Sequence, residues 1–304
     1  MRKKLLILVA IIVVLGGLIY HISSRGVGHN QSSQSQPTYS LNLMSGKSYM
    51  AAKPTMLHYA IEDQDGKVLK DFDVVHEKKM HLIIVRKDRT NFQHVHPTLD
   101  VSAGMFMIEP FTFPADGDYR VYADFTPSNA QRDEMGMKMA VTPYQDVQVG
   151  DTSKYTPQAL GDDKLASDVN GFETSIFFPP PDGSPGVADT SFYAGQDSNI
   201  AISINKNGQP YKNLQTYLGA LGHMVVLGPN LEFIHAHPQT VDVNTQGGVI
   251  VFGVKFLGAG QYKLYLQTQA NNQVNTTDYT LNIKPMPSNN QDSQSMPGMD
   301  HSGH

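Results

Sequence analysis

A histidine pattern that occurs twice constrains the fold of this chain more than any other feature of its 304 residues. The first copy is His81 followed by Leu-Ile-Ile-Val and then, after a short polar stretch, Phe92-Gln-His-Val-His-Pro. The second copy is His223 followed by Met-Val-Val-Leu and then Phe233-Ile-His-Ala-His-Pro. Each copy predicts two strands joined by a tight turn, since an apolar run and an alternating His-x-His both suit extended chain. The repetition indicates two copies of one β unit.

The histidines of each copy are expected to converge. Residues i and i+2 of a strand project from the same face, so His94 and His96 point together. A hairpin over the intervening polar residues brings His81 back beside them. The second copy repeats this set with three residues, His223, His235 and His237. Because imidazole binds both Zn(II) and Cu(II), with the higher intrinsic affinity for Cu(II), the sequence predicts a three-histidine metal site in each copy.

The two copies also align outside the histidines. Upstream, a turn-like Asp65-Gly-Lys corresponds to Asn207-Gly-Gln. Downstream, a Gly-x-Tyr-x-x-Tyr sequence begins at Gly117 and again at Gly260. A glycine two residues before the tyrosine of a late strand is similar to the tyrosine corner of immunoglobulin-like sandwiches.

The residue pattern from Tyr39 onward predicts the fold class. Short alternating segments are separated by Gly, Pro, Asn and Asp, which is typical of all-β sandwiches. Two copies of about 110 residues each suit that architecture. We therefore predict an all-β fold of two tandem immunoglobulin-like β-sandwiches, the first at residues 39–150 and the second, with its linker, at residues 151–285.

The N-terminal segment is predicted to be a membrane anchor. Three basic residues precede an apolar run from Leu5 to Tyr20, and no small-x-small cleavage sequence follows it. We favour an uncleaved signal anchor, a single transmembrane helix over residues 1–24, followed by a flexible linker at residues 25–38. The body of the protein would then lie outside the cytoplasm. A signal peptide cleaved near Gly26 is the alternative, and it leaves the body in the same compartment.

The composition of the chain excludes several kinds of metal site, partner and catalytic motif. The chain has no cysteine, which excludes disulfide scaffolds, thiolate zinc sites, iron–sulfur clusters and cysteine-ligated blue copper. A formal net charge of −5, without a basic block beyond the extreme N-terminus, argues against nucleic acid as a partner. The sequence contains no His-Glu-x-x-His, no Gly-x-Ser-x-Gly and no phosphate-binding glycine loop, so we expect a binding protein and not an enzyme.

Other side chains could add donors to the first trio. Asp124, five residues after Tyr119, is expected on a strand next to the histidines and could supply a carboxylate. The corresponding residue of the second copy is the neutral Gln267. His76 and Met80 lie just upstream as outer candidates. We therefore expect the first site to bind a divalent metal more tightly than the second.

Three methionines alternate after Asp124, at Met135, Met137 and Met139, and would share one face of a strand. Methionine is a flexible filler of hydrophobic cores, so the core interpretation is favoured. The alternative is a thioether rim for Cu(I) near the first trio.

The C-terminal tail, residues 286–304, is expected to be disordered, because it consists mainly of Pro, Ser, Asn, Gln, Met and His. A disordered tail has no core for its methionines to fill. Thioether and imidazole together select Cu(I) and Cu(II), so we predict copper ligands at four positions, Met296, Met299, His301 and His304. The alternative is a solvated low-complexity end.

The succession of His, apolar strand, short turn, Phe-x-His-x-His-Pro and Gly-x-Tyr-x-x-Tyr resembles small extracytoplasmic β-sandwich domains of bacteria, of the YtkA-like and FixH-like groups. The resemblance covers most of residues 39–150 and 165–285. It implies metal handling outside the cytoplasm, with a metal-efflux or metal-delivery protein as partner, and it does not imply catalysis.

Together these features predict a membrane-anchored, extracytoplasmic protein that binds copper for sequestration or delivery. Zinc is the alternative metal, in a binding protein or in a metalloenzyme that activates water. The remaining alternative is a structural or adhesive surface module whose histidines are internal hydrogen-bonding groups.

Overall fold

A computed structural model describes residues 38–133, 136–177, 192–239 and 247–287. The predicted signal anchor, most of the linker after it and the four donors of the tail lie outside these residues. Within the described ranges, no helix has the length and hydropathy that crossing a bilayer requires. From residue 38 onward, the described residues belong to one compact unit.

The first half of this unit contains nine strands. They are β1 (Tyr39–Leu43), β2 (Ser48–Tyr49), β3 (Pro54–Asp63), β4 (His81–Arg86), β5 (Gln93–Val95), β6 (Thr98–Asp100), β7 (Met105–Thr112), β8 (Gly117–Asp124) and β9 (Tyr144–Val149). One sheet has the order β1-β3-β7-β6 and the other β2-β9-β8-β4-β5. Buried residues of both sheets form a single hydrophobic cluster, so the sheets pack face to face.

The second half follows a short 3-10 helix at Thr152–Lys154. Its strands are β10 (Ala166–Val169), β11 (Phe172–Phe177), β12 (Asp197–Lys206), β13 (Gln209–Pro210), β14 (His223–Leu227), β15 (Phe233–Ala236), β16 (Val249–Lys255), β17 (Gly260–Ala270) and β18 (Gln273–Ile283). One sheet has the order β10-β11-β12-β13, with β16 also paired to β12, and the other has the order β15-β14-β17-β18. A second hydrophobic cluster lies between them.

The all-β prediction is confirmed for the described residues, and so are both hairpins. β4 pairs with β5, and β14 pairs with β15, in antiparallel registers that place Ile83 opposite His94 and Val225 opposite His235. The tyrosine of each Gly-x-Tyr sequence makes the same hydrogen bond in the two halves. The hydroxyls of Tyr119 and Tyr262 each donate to a backbone carbonyl four residues upstream, at 2.9 Å.

Strands β4 and β14 are buried on both faces, which one sandwich alone would not require. Leu82 and Ile84 point into the core of the first half, whereas Ile83 and Val85 point the other way. This second set meets its counterparts from the other half in a third cluster, the inter-half cluster, whose buried members are Ile83, Val85, Tyr122, Val225, Leu227 and Tyr265. The unbroken apolar runs after His81 and His223 are the sequence signature of this two-sided burial.

The contacts across the inter-half cluster are reciprocal. Tyr122 of the first half stacks on Phe233 and donates its hydroxyl to the carbonyl of Leu231 at 2.7 Å. The corresponding Tyr265 of the second half stacks on Phe92, with ring centroids 4.2 Å apart, and its hydroxyl donates to the carbonyl of residue 89 at 2.6 Å. Each half therefore presents the same surface to the other, as in a twofold-symmetric interface.

Truncating a residue of the inter-half cluster should destabilise the whole unit. We expect Ile83→Ala to lower the free energy of unfolding by about 2–5 kcal/mol, because the side chain is fully buried and its loss leaves a cavity. Val74→Ala is the matched control, since Val74 is 63% exposed and its truncation should cost less than about 0.5 kcal/mol. Urea unfolding measures both. If the Ile83→Ala and Val74→Ala variants were equally stable, the burial of Ile83 between the two halves would be contradicted.

Candidate metal centre

The histidines lie on the same face as the inter-half cluster. His81 opens β4 two residues before Ile83, so the two side chains share a face of the strand. His94 is directly opposite Ile83 across the β4–β5 pair and therefore projects to that face as well. His223 and His235 occupy the corresponding positions of the second half. Pairing register thus brings both trios to the boundary between the halves.

Each trio converges as predicted. One nitrogen from each of His81, His94 and His96 lies within 4.8 Å of the others, and the same holds for the second trio. Nδ1 of His81 is 3.2 Å from Nε2 of His94. Two nitrogens that bind one tetrahedral ion at 2.0–2.1 Å are about 3.3 Å apart, so this spacing suits a shared metal. The trios are therefore able to hold a metal ion.

Backbone carbonyls orient the first histidine of each trio. Nε2 of His81 lies 3.1 Å from the carbonyl oxygen of Val75, and Nε2 of His223 lies 2.8 Å from that of Tyr217. Because a carbonyl can only accept, the ring N–H must be on Nε2, which leaves the lone pair on Nδ1 facing the trio. Proteins orient metal-binding histidines in this way.

The second histidine of each trio is oriented by a residue from the other half. Nδ1 of His94 donates to Oε1 of Gln267 at 2.7 Å, and Nδ1 of His235 donates to Oδ2 of Asp124 at 2.7 Å. Because Nδ1 carries the proton in both hydrogen bonds, the lone pair of each ring is on Nε2. Asp124 and Gln267 correspond to each other in the two halves, so the exchange is reciprocal.

Four nitrogens of the trios are buried without a hydrogen-bond partner. They are Nε2 of His96, Nδ1 of His223, Nε2 of His235 and Nε2 of His237. Each histidine of the second trio contributes one nitrogen to this set. A buried polar atom without a partner costs about 1–3 kcal/mol, and a bound metal ion would satisfy each lone pair.

Burial holds five of the six trio imidazoles in the neutral form. Desolvation is the largest cause in each case and lowers the pKa of His81 to about 4, of His96 and His223 to about 3, and of His237 to about 2. The pKa of His94 is also well below its ordinary value, for the same reason and because of the imidazoles around it. Neutral imidazole is the form that binds metals, so the donors are available at pH 7 without losing a proton.

Asp124 lies on the strand that the sequence predicts, but its carboxylate contacts the other trio. It is opposite His81 across the β8–β4 pair, as predicted for a neighbouring strand. Its carboxylate, however, accepts from His235 of the second trio and from the hydroxyl of Thr142. That Asp124 is a metal ligand of the first trio stays a prediction. Its observed contacts support a histidine of the second trio.

A seventh histidine joins the cluster. The ring of His76 stacks on that of His237 with centroids 3.6 Å apart and lies 5.4 Å from that of His223. Its backbone has a φ of 50°, in the left-handed region. The sequence placed His76 near the first trio, whereas its closest ring contact is with the second. Met80, the other outer candidate, is 1% exposed within the core of the first half and packs there as an apolar residue.

A cavity of about 840 Å³ opens beside the second trio. Its inner wall includes His81, Asp124, His235 and His237, and part of its outer wall comes from the segment between β8 and β9. That segment spans residues 125–143, whereas β17 and β18 are joined by two residues, Asn271 and Asn272. The first half therefore carries an insertion that builds a chamber over the histidines.

The methionines of this insertion do not fill a core. Met137 is 64% exposed and lines the cavity, and Met139 is 41% exposed. For these two the core interpretation is wrong, because the insertion lies over the cavity instead of between two sheets. Met135 and the four donors of the tail lie outside the described residues.

Sequence reasoning missed the role of Gln267 and the paired tyrosines Tyr122 and Tyr265. Alignment of the two copies makes Gln267 the loss of a carboxylate ligand, although an amide oxygen also accepts a hydrogen bond from a histidine N–H. The signal is the repeated Tyr-x-Asp of β8 and Tyr-x-Gln of β17. Both place an acceptor two residues after an interface tyrosine and on the same face.

A family profile described as "Domain of unknown function (DUF8832)" matches residues 34–142 and 184–285, which is more than half of the chain. One stretch falls in each half: the first includes β1 to β8 and the second includes β12 to β18. No curated protein matches the chain.

Solved structures that resemble the chain do so weakly. The native conformation of E. coli alpha-2-macroglobulin is 12% identical over 83% of this chain and 14% of its own, with a TM-score of 0.25. Invasin, a bacterial integrin-binding protein, is 12% identical over 82% of this chain and 39% of its own, with a TM-score of 0.23. This chain thus spans less than half of either protein. TM-scores of this size do not establish a shared fold.

The metal-free protein should lose stability in mild acid. Unfolded histidines titrate near pH 6.5, whereas several folded ones do so near 3 to 4, so the unfolded state binds more protons between these values. We expect the free energy of unfolding to be level above pH 7 and to fall as pH drops from 6.5 to 4.5. Each imidazole contributes up to about 1.4 kcal/mol per pH unit.

Urea unfolding of chelator-treated protein at several pH values measures this slope. Replacing His96 and His237 with glutamine should make it shallower, because glutamine does not titrate. A metal-free protein that is as stable at pH 5 as at pH 7 would contradict the burial of neutral imidazoles.

Proposed function

The chain belongs to the DUF8832 family, a domain of unknown function, and we propose from its own residues that it binds two metal ions, one in each histidine trio. The observation that carries this proposal is the convergence of three histidine nitrogens in each trio, where four of the six histidines also have a buried nitrogen without a hydrogen-bond partner. In four of the six histidines, one ring nitrogen is fixed by a carbonyl, a carboxylate or an amide. Such an arrangement prepares lone pairs for a cation.

A purely structural role for the histidines does not explain why some of their ring nitrogens have no hydrogen-bond partner. Histidines that only support a fold are expected to use both ring nitrogens in hydrogen bonds, because each unmet one costs stability. Here Nδ1 of His81 faces Nε2 of His94 at 3.2 Å, and both carry lone pairs once their outer nitrogens are protonated. Two lone pairs at that distance repel each other unless a proton or a metal ion lies between them.

Copper is the metal that we propose, with zinc as the alternative. Three imidazoles suit both, and Cu(II) has the higher intrinsic affinity for such a site. The Met/His tail offers thioether donors that favour copper over zinc. Together with the proposed N-terminal anchor, this supports a membrane-attached, extracytoplasmic protein that sequesters or delivers copper, without catalysis, to a metal-efflux or metal-delivery partner.

We also interpret the two halves as tandem immunoglobulin-like sandwiches. The support is the face-to-face packing of two sheets in each half and the upstream hydrogen bond of Tyr119 and Tyr262. That bond is typical of tyrosine corners. In this interpretation, the metal sites lie where the two sandwiches meet.

Metal content after chelation and reloading tests the proposal. In the full-length chain with the four tail donors replaced by Leu and Ala, we expect about two Cu(II) ions per chain, since each trio provides a complete set of three nitrogens. H94A/H96A and H235A/H237A should each retain one ion. Elemental analysis after gel filtration measures the ratio, and competition between Cu(II) and Zn(II) identifies the preferred metal.

His58 provides the matched control. It lies outside the cluster and pairs with Glu109, so H58A should retain both ions. Retention of two ions by H94A/H96A would contradict the first site, and a wild-type chain that retains none would return the histidines to the structural interpretation.

The contacts of Asp124 predict which site depends on it. Asp124→Ala should lower the metal affinity of the second trio about 10- to 100-fold, because it removes the acceptor that orients His235. In the H94A/H96A background only the second trio remains, and the loss should appear there. In the H235A/H237A background the affinity should change little. Isothermal titration with Cu(II) measures both, and a larger loss in the second background would make Asp124 a ligand of the first trio.

A further inference from the structure

The two trios are close enough to form one cluster. Ring centroids of His81 and His235, from opposite halves, are 5.5 Å apart, and those of His94 and His235 are 5.7 Å apart. Within single trios, His81 and His94 are separated by 5.4 Å, and His223 and His235 by 5.7 Å. The shortest separations within a trio are 4.5 and 4.7 Å, so the rings across the boundary are only about 1 Å farther apart.

Neither site is complete within its own half. Gln267 of the second half sets the ring of His94, and Asp124 of the first half sets the ring of His235. Gln267 is paired with His223, and Asp124 with His81, across neighbouring strands. A change in either trio therefore reaches a residue that lies beside the first histidine of the other. This reciprocity indicates one centre with two positions rather than two separate sites.

Two divalent ions in this cluster would need negative charge. The donors of both trios are imidazoles, which bring no negative charge, and the one carboxylate hydrogen-bonded to them in the described residues is that of Asp124. Four positive charges opposed by one negative charge in a buried region repel each other strongly. An anion between the ions would relieve this repulsion.

The cavity offers such an anion a place and a route. It reaches His81 of the first trio as well as His235 and His237 of the second. The two cations that line it, Arg132 and Lys138, are balanced by two carboxylates, those of Asp124 and of Asp73, which pairs with Lys138. The lining therefore carries no net negative charge that would exclude a small anion. Each trio supplies three donors, which leaves one position open on a four-coordinate ion.

We infer that the two trios form a single dinuclear centre, in which two metal ions share a small bridging anion such as hydroxide. The inference rests on the proposed function and adds to it that the two ions interact. Hydroxide forms when a water molecule bound between the ions releases one proton to solvent, because the two cations lower its pKa. The unpaired electrons of two Cu(II) ions bridged in this way would couple magnetically.

Electron paramagnetic resonance of the Cu(II)-loaded protein tests this inference. The full-length chain with replaced tail donors is used, so that copper bound by the tail does not contribute. With one equivalent or less of Cu(II), singly loaded chains give close to one unpaired spin per copper. With two equivalents bound, we expect the spin per copper to drop, or a half-field transition to appear, because the paired ions couple.

The H235A/H237A variant should restore the signal. It retains one ion in the first trio, so the spin per copper should return to one even though less copper is bound. Circular dichroism confirms that the variant is folded, and the titration of the unsubstituted trios gives the same answer without any variant at the site.

Two bound coppers with two full, independent spins and no half-field transition would overturn the dinuclear centre and leave the proposed function intact. A chain that retains no copper would overturn both. Elemental analysis on the same samples separates the two results.

Discussion

The structure depends on the contact between the outer faces of β4 and β14. Each strand is buried on both sides, with one face in its own core and the other in the inter-half cluster. The histidines continue the same faces beyond the apolar residues, so the packing that joins the halves also places the trios. Removing water from this boundary has two effects: it stabilises the contact, and it keeps the imidazoles neutral.

Polar groups at this boundary are arranged to avoid leaving an N–H without an acceptor. The outer nitrogens of four histidines donate to two backbone carbonyls, an amide and a carboxylate. In the described residues, four of the seven buried side-chain atoms without a hydrogen-bond partner are trio nitrogens, one in the first trio and three in the second. A cation is the simplest species that could satisfy these nitrogens.

Much of this could be predicted from the sequence, because period-two spacing fixes which side chains share a face. The spacing of His94 and His96, and the turn that returns to His81, gave the first trio and its hairpin. The partner of Asp124 could not be predicted, because a local pattern does not show which surface covers the second face of a strand. The methionines of the β8–β9 insertion were misassigned for a related reason, since alternation alone does not distinguish a core from the wall of a cavity.

The reciprocity of the tyrosine contacts has a consequence for assembly. A surface that makes the same bonds on both sides is complementary to itself, so two separate copies of such a unit could meet through it as a symmetric dimer. Association of separate chains depends on their concentration, whereas two copies joined in one chain find each other at a high effective concentration. The duplication thus makes formation of the histidine cluster a property of a single molecule, independent of how dilute the protein is.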